Sequence, residues 1–470
     1  MMRTLPRTSR ILWSALVAVV ACCLLAGVSA REPGAAAQQP GAQAPQQPSD
    51  LSTTISSDQS GAPPRFAIPD FIALSNDPDT VDAAKTISKV LWDDIEFERE
   101  FALIPRDIIA TIPPATSIND VPLDRWREVN ADGVLVGTVQ KSDNGIRVEM
   151  RLISMRTRQT AFGPRVYTGA ATSKRLFAHS ISDEIHQQQR ALTGVARSKL
   201  TFNSDRDGDR VDGTVESRGV KEIYITDYDG ENQRRVTTQR TLTMNSTWSP
   251  DARSIAYASY RRGTPQIFIS NIYQGTLDEV TKVGSGQNVL PVWSPDGKQI
   301  AFASTRDGNF EIYVANRDGS NPRRLTNHPG ADITPTWSPS GTQIAFTSDR
   351  TGTPQIYLVG SDGLGLRQVT HESYADRVTW SPAPYNELAF ASRTGPGFDI
   401  KILELATGTV RQLTFGEGSN ESPAFSANGR HIAFTSTRAG RTQIFTMARD
   451  GKDVRQVTRV GSNYQPDWSR

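Results

Sequence analysis

The chain has 470 residues, with 52 basic and 50 acidic side chains and a formal charge of +2. That length accommodates two or three domains, and so even a balance of charge gives no footing for nucleic-acid binding. The two cysteines are adjacent and close to the N-terminus, so the rest of the chain builds no disulfide and no cysteine-ligated metal centre.

Residues 1–30 read as an export signal. Arg3, Arg7 and Arg10 stand without an acid, residues 11–25 are apolar, and Val28-Ser29-Ala30 supplies the small residues a signal peptidase needs. The apolar run is short for a membrane span; a retained N-terminal anchor is the competing reading. Val19-Val20-Ala21-Cys22 loosely fits a lipoprotein-type site, but the apolar CLLAG beginning at Cys22 argues against it. Cleavage after Ala30 removes Cys22, Cys23 and three arginines, leaving 49 basic against 50 acidic side chains. The mature chain is then expected in the periplasm, as a monomer without stable membrane insertion.

Residues 31–64 are expected to be a disordered linker and mobile N-terminal segment. The stretch REPGAAAQQPGAQAPQQPSD has almost nothing large to bury. In LSTTISSDQSGAPP only Leu51 and Ile55 are sizeable, so this part suits a strand only when bound to something else.

Residues 65–197 predict a small α/β domain. RFAIPDFIAL and FALIP read as short strands. Between them a helix follows Thr80 as N-cap, with Val81, Ala84, Ile87, Val90 and Leu91 on one face. LDRWREVNA is a short helix, and DGVLVGTVQKSDNGIRVEMRLIS is a hairpin turning at Asn144-Gly145. QTAFGPRVYTGA adds a strand. The last helix carries Phe177, Ile181 and Ile185 at a spacing of four and stops at Gly194. His179 and His186 lie two turns apart on it, about 10 Å, too far to share a metal ion; a solvated or interdomain helix face is the reading. No phosphate loop and no HExxH motif occurs.

From residue 198 the chain repeats. Apolar-Thr pairs end successive units at Thr237, Thr281, Thr326, Thr370, Thr414 and Thr458, spaced by 44, 45, 44, 44 and 44 residues. The motif WSP begins at Trp248, Trp293, Trp337 and Trp380, becomes FSANG at Phe425 and returns as WSR at Trp468. Each unit reads as four strands joined by turns such as SPDG, TRDGN and RDGSNP. Small sheets with one apolar face must stack, and a ring of them removes the exposed ends. The first unit lacks its WSP strand and the last WSP-type strand lacks the other three. Residues 198–470 therefore predict a six-bladed, WD40-like β-propeller whose C-terminal strand closes the first blade. The whole is a multidomain α+β chain. The tryptophans are assigned to packing between blades.

Asp205, Asp207, Asp209 and Glu216 mimic positions of a calcium loop, but Arg210 stands where that loop needs glycine. Turn chemistry is the reading, and no metal or cofactor is expected. A propeller-bearing serine peptidase requires a G-x-S-x-G elbow with a downstream histidine. No such elbow is present, so no catalytic residues are assigned. A channel mouth suits a carbohydrate or small ligand as well as a protein, and a peptidase-related propeller without its catalytic domain is a further alternative. Five residues before the blade aromatic stand Asn288, Asp332, Asn420 and Asn463, in connections rich in Gly, Asn and Ser. They are the candidate partner-binding residues of the channel mouth; the competing role is local turn satisfaction.

ITDYDGENQ, HSISDEIHQQQRALTGVARSKL and the terminal WSP-type motif, together with the signal and the blade repeat, resemble the TolB family, the periplasmic component of the Tol-Pal system. The resemblance covers residues 65–470. It implies a non-enzymatic adaptor whose propeller binds Pal, the peptidoglycan-associated outer-membrane lipoprotein. It also implies an N-terminal segment, here 51–62, that contacts the inner-membrane protein TolA. The implied outcome is envelope integrity and outer-membrane constriction at cell division. The Ala/Gln/Pro-rich residues between the signal and residues 51–62 depart from the family pattern.

Overall fold

The computed structural model describes residues 53–57, 61–208 and 219–469. The expected signal and the stretch 31–50 lie outside the described residues, as do Leu51 and, in the calcium-like loop, Asp209, Arg210 and Glu216.

The N-terminal domain is a mixed sheet with helices on both faces. Strand β1 (Arg65–Ala67) runs parallel to its two neighbours, β3 (Ala102–Leu103) and β4 (Gly133–Ser142). Strands β5 (Gly145–Ser154) and β6 (Thr160–Gly169) continue antiparallel, and the short β2 (Ile72–Ala73) pairs with β4. Helices α1 (Pro78–Glu98) and α4 (Lys174–Arg190) cover one face, burying Ile87, Leu91 and Ile95 with Phe177, Ile181 and Ile185 against Leu135, Val148 and Met150. The other face receives α2 (Arg106–Ile109) and α3 (Leu123–Glu128), with Trp126 over Val134 and Val136.

Three local readings shift. The cap of α1 is Asp77, whose side chain accepts the Thr80 N–H at 3.1 Å, because Pro78 fits the first turn where no amide donor is needed. Thr80 is buried inside that turn. The β4–β5 turn is made by Asp143 and Asn144, and Gly145 opens β5 at φ 123°. Helix α4 ends on Ala191 in the left-handed region rather than at Gly194. Gly194 answers a different constraint: a Cβ there would lie 2.2 Å from Asp183 Oδ1.

Residues 53–57 correct the expectation of a free N-terminal segment. The Thr53 N–H donates to the Ala161 carbonyl (2.8 Å). Gln189 accepts from the Ile55 N–H (2.9 Å) and donates to the Thr53 carbonyl (3.2 Å). Ile55 is 4% exposed and sits over Gly133, which has no side chain to exclude it. One well-placed apolar residue and one glutamine thus hold a segment whose composition alone promises nothing.

The propeller has six four-stranded antiparallel blades. Blade 1 takes its innermost strand, Asn463–Trp468, from the C-terminus, beside Lys199–Ser204, Glu222–Asp227 and Arg234–Arg235. Blades 2 to 6 begin at Thr243, Asn288, Asp332, Ala375 and Asn420. Trp248, Trp293, Trp337, Trp380, Phe425 and Trp468 are all at least 92% buried; Trp293, for example, packs with Ala256, Ile267 and Ile269 of the blade before it.

The repeating threonines have a physical role. Each hydroxyl accepts the N–H at the start of the third strand, as Thr281 does from Ile267 (2.9 Å). Each also donates to the acidic or amide side chain one position earlier, as Thr281 does to Gln266 (2.7 Å) and Thr326 to Glu311 (2.6 Å). One side chain per blade therefore ties a short outer strand to its neighbour, where backbone pairing alone spans two or three residues.

Candidate functional site: the open face and channel of the propeller

The ladders define two faces. Each innermost strand starts opposite the end of the second, as Asn288 pairs with Ser304, so blade-to-blade connections and second-to-third turns share one face. The other face carries the SPDG-type turns and the third-to-fourth turns.

The four predicted site residues lie at the rim of the first face, but none is offered to a partner. Asn288, Asp332, Asn420 and Asn463 are all 0% exposed. Asn288, Asn420 and Asn463 donate to Gln266 (2.9 Å), Asp399 (3.1 Å) and Gln443 (2.8 Å) of the preceding blade. They accept from Arg306 (3.4 Å), Arg438 (3.1 Å) and Arg206 (2.9 Å) of their own blade. Asp332 takes Arg350 through both oxygens, at 3.0 and 2.8 Å, while burial pushes its carboxyl above the usual range. The partner-binding assignment is corrected: these side chains clamp blade to blade. The first strand is longer than its PVW core suggests and begins at the Asn or Asp itself, which places that residue inside the ladder rather than on a loop.

The arginines of this clamp were legible as a recurring Ser-x-Arg after the second strand, at Arg206, Arg306, Arg350 and Arg438. Each guanidinium also lies over the aromatic rings of its own blade, as Arg306 does over Phe302 and Tyr313 at 5.5 and 4.5 Å.

The channel is lined one turn of chain further in. Every innermost strand carries a β-bulge, and its third residue takes φ between 50° and 59°: Asn245, Leu290, Thr334, Arg377, Ser422 and Gln465. Six non-glycine residues in the left-handed region mark one repeated strain, and the bulge swings each toward the axis. Four of the six are followed by proline, whose missing N–H suits the unpaired place in the ladder. They surround a space of about 150 Å³ at the mouth, and the aromatic ring of Trp248, Trp293, Trp337, Trp380, Phe425 and Trp468 lines a second space below it. Outside the mouth, Val283, Phe415 and Val460 stand 60%, 72% and 62% exposed on three blade-to-blade connections.

On the opposite face the N-terminal domain packs against blades 1 and 6. Tyr228 of blade 1 donates to Asp94 at 2.7 Å, and His179 meets the same carboxylate at 2.9 Å. Burial raises the Asp94 carboxyl; burial opposes charge on His179, but the hydrogen bond and charge of Asp94 outweigh it and raise that imidazole too. Phe97 stacks on His431 of blade 6 with centroids 4.1 Å apart, and the Phe97 carbonyl lies 3.0 Å from His431 Nε2. Burial lowers the His431 pKa to about 3 and raises that of Glu98 to about 8. Glu98 accepts from the Val195 N–H (2.7 Å) and from Asn428 (3.3 Å). His179 is thus an interdomain residue, as one reading of its helix face had it. His186 is 1% exposed, turned inward beside Phe101. Among the described residues no group of three His, Cys, Asp or Glu is placed to hold a metal ion, and no helix is long and apolar enough to cross a membrane.

This architecture has known relatives. The model of the TolB amino-terminal domain matches residues 51–161, and that of the TolB beta propeller domain matches 210–384 and 377–470. The Tol-Pal system protein TolB of Bordetella avium is 32% identical over 388 residues, 82% of this chain and 84% of that protein. That of Desulfosudis oleivorans is 31% identical over 228 residues, where the match spans about half the length of each chain, 48% and 49%. The crystal structure of TolB from Acinetobacter baumannii superposes with a TM-score of 0.73 at 25% identity, covering 87% of this chain and 97% of that one. With both folded regions matched and four-fifths of its length aligned to one such relative, the chain belongs to the TolB family of Tol-Pal system proteins.

Proposed function

We propose that the chain is a non-catalytic periplasmic adaptor of a Tol-Pal system. Its open propeller face binds a Pal-like, peptidoglycan-associated outer-membrane lipoprotein. Contact with a TolA-like inner-membrane protein falls to residues 51–62, whose part 53–57 must leave its hold on Gln189 and Ala161 to make it, and the linkage serves envelope integrity and outer-membrane constriction at division.

The observation that carries this reading is the asymmetry of the ring. On one face the chain's own N-terminal domain packs against blades 1 and 6, and the other presents Val283, Phe415 and Val460 outside a channel mouth of bulged strands. Single exposed apolar residues are ordinary, but three on equivalent connections of one face form the kind of surface a protein partner covers.

The test is calorimetric titration with the soluble domain of the peptidoglycan-associated lipoprotein from the same organism. Wild-type protein binds, and Phe415→Asp weakens binding by at least about tenfold with unchanged melting, since Phe415 supports no core. Failure of the wild type to bind contradicts the reading; full affinity of the variant moves the interface off this face.

A further inference from the structure

Blade 2 breaks the clamp pattern, and the break opens a cleft. Thr243 stands where blades 1, 3, 4 and 6 place Asn463, Asn288, Asp332 and Asn420. Ser259 occupies the place of the serines that accept the clamp arginines' Nε–H in those blades, such as Ser304 and Ser348. In blade 2 its hydroxyl instead donates to Gln239. Among the described residues the guanidinium of Arg261, at the clamp arginine's place, has only the ring of Phe268, 5.4 Å away, and Arg261 is exposed where its four counterparts are half-buried. Blade 5 also lacks the amide, at Ala375, but there Arg393 lies between Tyr374 and Phe398.

The adjoining space between blades 1 and 2 has a volume of about 1010 Å³. Its charged lining is Arg234, Arg235, Arg240 and Arg261, with no carboxylate among the described residues that line it. Arg235 is neutralised by Asp207 and Glu222, each at 3.0 Å. Arg234, Arg240 and Arg261 are exposed, and their guanidinium groups have no carboxylate partner among the described residues, although the Arg240 backbone N–H donates to Glu222 (2.6 Å). Two further departures from the repeat lie in the same cleft. Tyr257 replaces the phenylalanine found at this position in the other five blades, and Ser270 stands at the position held by Ala315, Val359, Leu403 and Met447 in blades 3 to 6. The Tyr257 hydroxyl accepts from Gln239 (2.8 Å) and lies 3.1 Å from Ser270 Oγ, giving the cleft a hydrogen-bonding floor.

We propose that this cleft binds an acidic peptide segment, with the guanidinium groups of Arg234, Arg240 and Arg261 taking its carboxylates. Guanidinium pairs with carboxylate through two parallel hydrogen bonds. The three free cations are spread over the outer strand of blade 1, the connection to blade 2 and the hairpin of blade 2, which fits several carboxylates along one chain better than one compact anion. The site is separate from the open-face surface assigned above and does not depend on it.

The test is fluorescence anisotropy of a labelled octaglutamate peptide titrated with the full chain. Arg240→Ser with Arg261→Ser weakens binding at least about tenfold. The control pair Arg367→Ser with Arg441→Ser, two exposed arginines outside the cleft, removes the same charge and leaves affinity within about twofold. Thr243→Asn restores the clamp amide without changing any charge; by recapturing Arg261 it weakens binding severalfold. Absence of wild-type binding overturns the proposal, as does equal weakening by the two arginine pairs. Displacement of the peptide by inorganic phosphate as readily as by unlabelled octaglutamate also overturns it, because that is the behaviour of a single-anion site.

Discussion

The two faces of the ring are built from the same repeat and differ in what they do with polar groups. On the face that meets the N-terminal domain, Asp94, Glu98, His179 and His431 are buried at the junction with blades 1 and 6, and three of these groups have partners across it. On the open face, the clamp amides are equally buried, yet they point sideways into the neighbouring blade and leave the surface to Val283, Phe415 and Val460. Buried polarity is therefore no guide to where a partner docks in this fold. On one face it fixes a domain, on the other it fixes the ring.

The largest break of that comparison comes from opening the ring. Removing residues 463–469 deletes the innermost strand of blade 1, the Asn463 clamp and Trp468, and exposes a strand edge on Lys199–Ser204. A drop in melting temperature of roughly 10 °C or more, or aggregation, is expected in scanning calorimetry. Melting at the wild-type temperature would mean that the clasp does not hold the ring.

A smaller effect isolates the junction between the two domains. The pKa of Glu98 is raised to about 8 from an ordinary 4.5, so its contribution to stability is complete below pH 4.5 and lost as pH rises through 8. His431, lowered to about 3, acts in the opposite sense, and only as pH falls below 6.5. Between pH 6.5 and 8.5 the Glu98 part amounts to about 2 kcal/mol, and the raised His179 and Asp94 act in the same direction. Denaturant titrations should show wild-type stability falling across that window by about 2 kcal/mol more than that of Glu98→Gln; parallel slopes would rule out the Glu98 effect.

The clamps give the smallest changes. Asn288→Ala, Asn420→Ala or Asn463→Ala each costs about 1–2 kcal/mol, since an arginine and a buried amide or carboxylate lose a partner together. Asp332→Asn stays within about 1 kcal/mol of wild type, because three other blades already use the amide. Urea midpoints check both, and an indifferent Asn→Ala series would mean that these side chains do not hold the blades together.

The blade count, the clasp and the packing role of the tryptophans were all legible in the sequence, because one residue per blade recurs at a fixed place. The candidate site was not. Asn288 and its counterparts sit among glycines and serines, and that composition reads as a loop; what puts them in a ladder is a bulge two residues later, visible only as Pro291, Pro335, Pro423 and Pro466. The hold on Thr53–Ser57 was hidden because it depends on Gln189, more than 130 residues away. Gly194 was misread for the same reason, as its constraint is the carboxylate of Asp183 across the helix end.

Whether the open face carries the partner is decided by amide hydrogen exchange with and without the soluble domain of the peptidoglycan-associated lipoprotein. New protection is expected in the connections 282–288, 415–420 and 459–463, with the turns 428–431 and 450–455 at the junction with the N-terminal domain unchanged. Protection confined to those junction turns, or spread equally over both faces, would place the partner elsewhere.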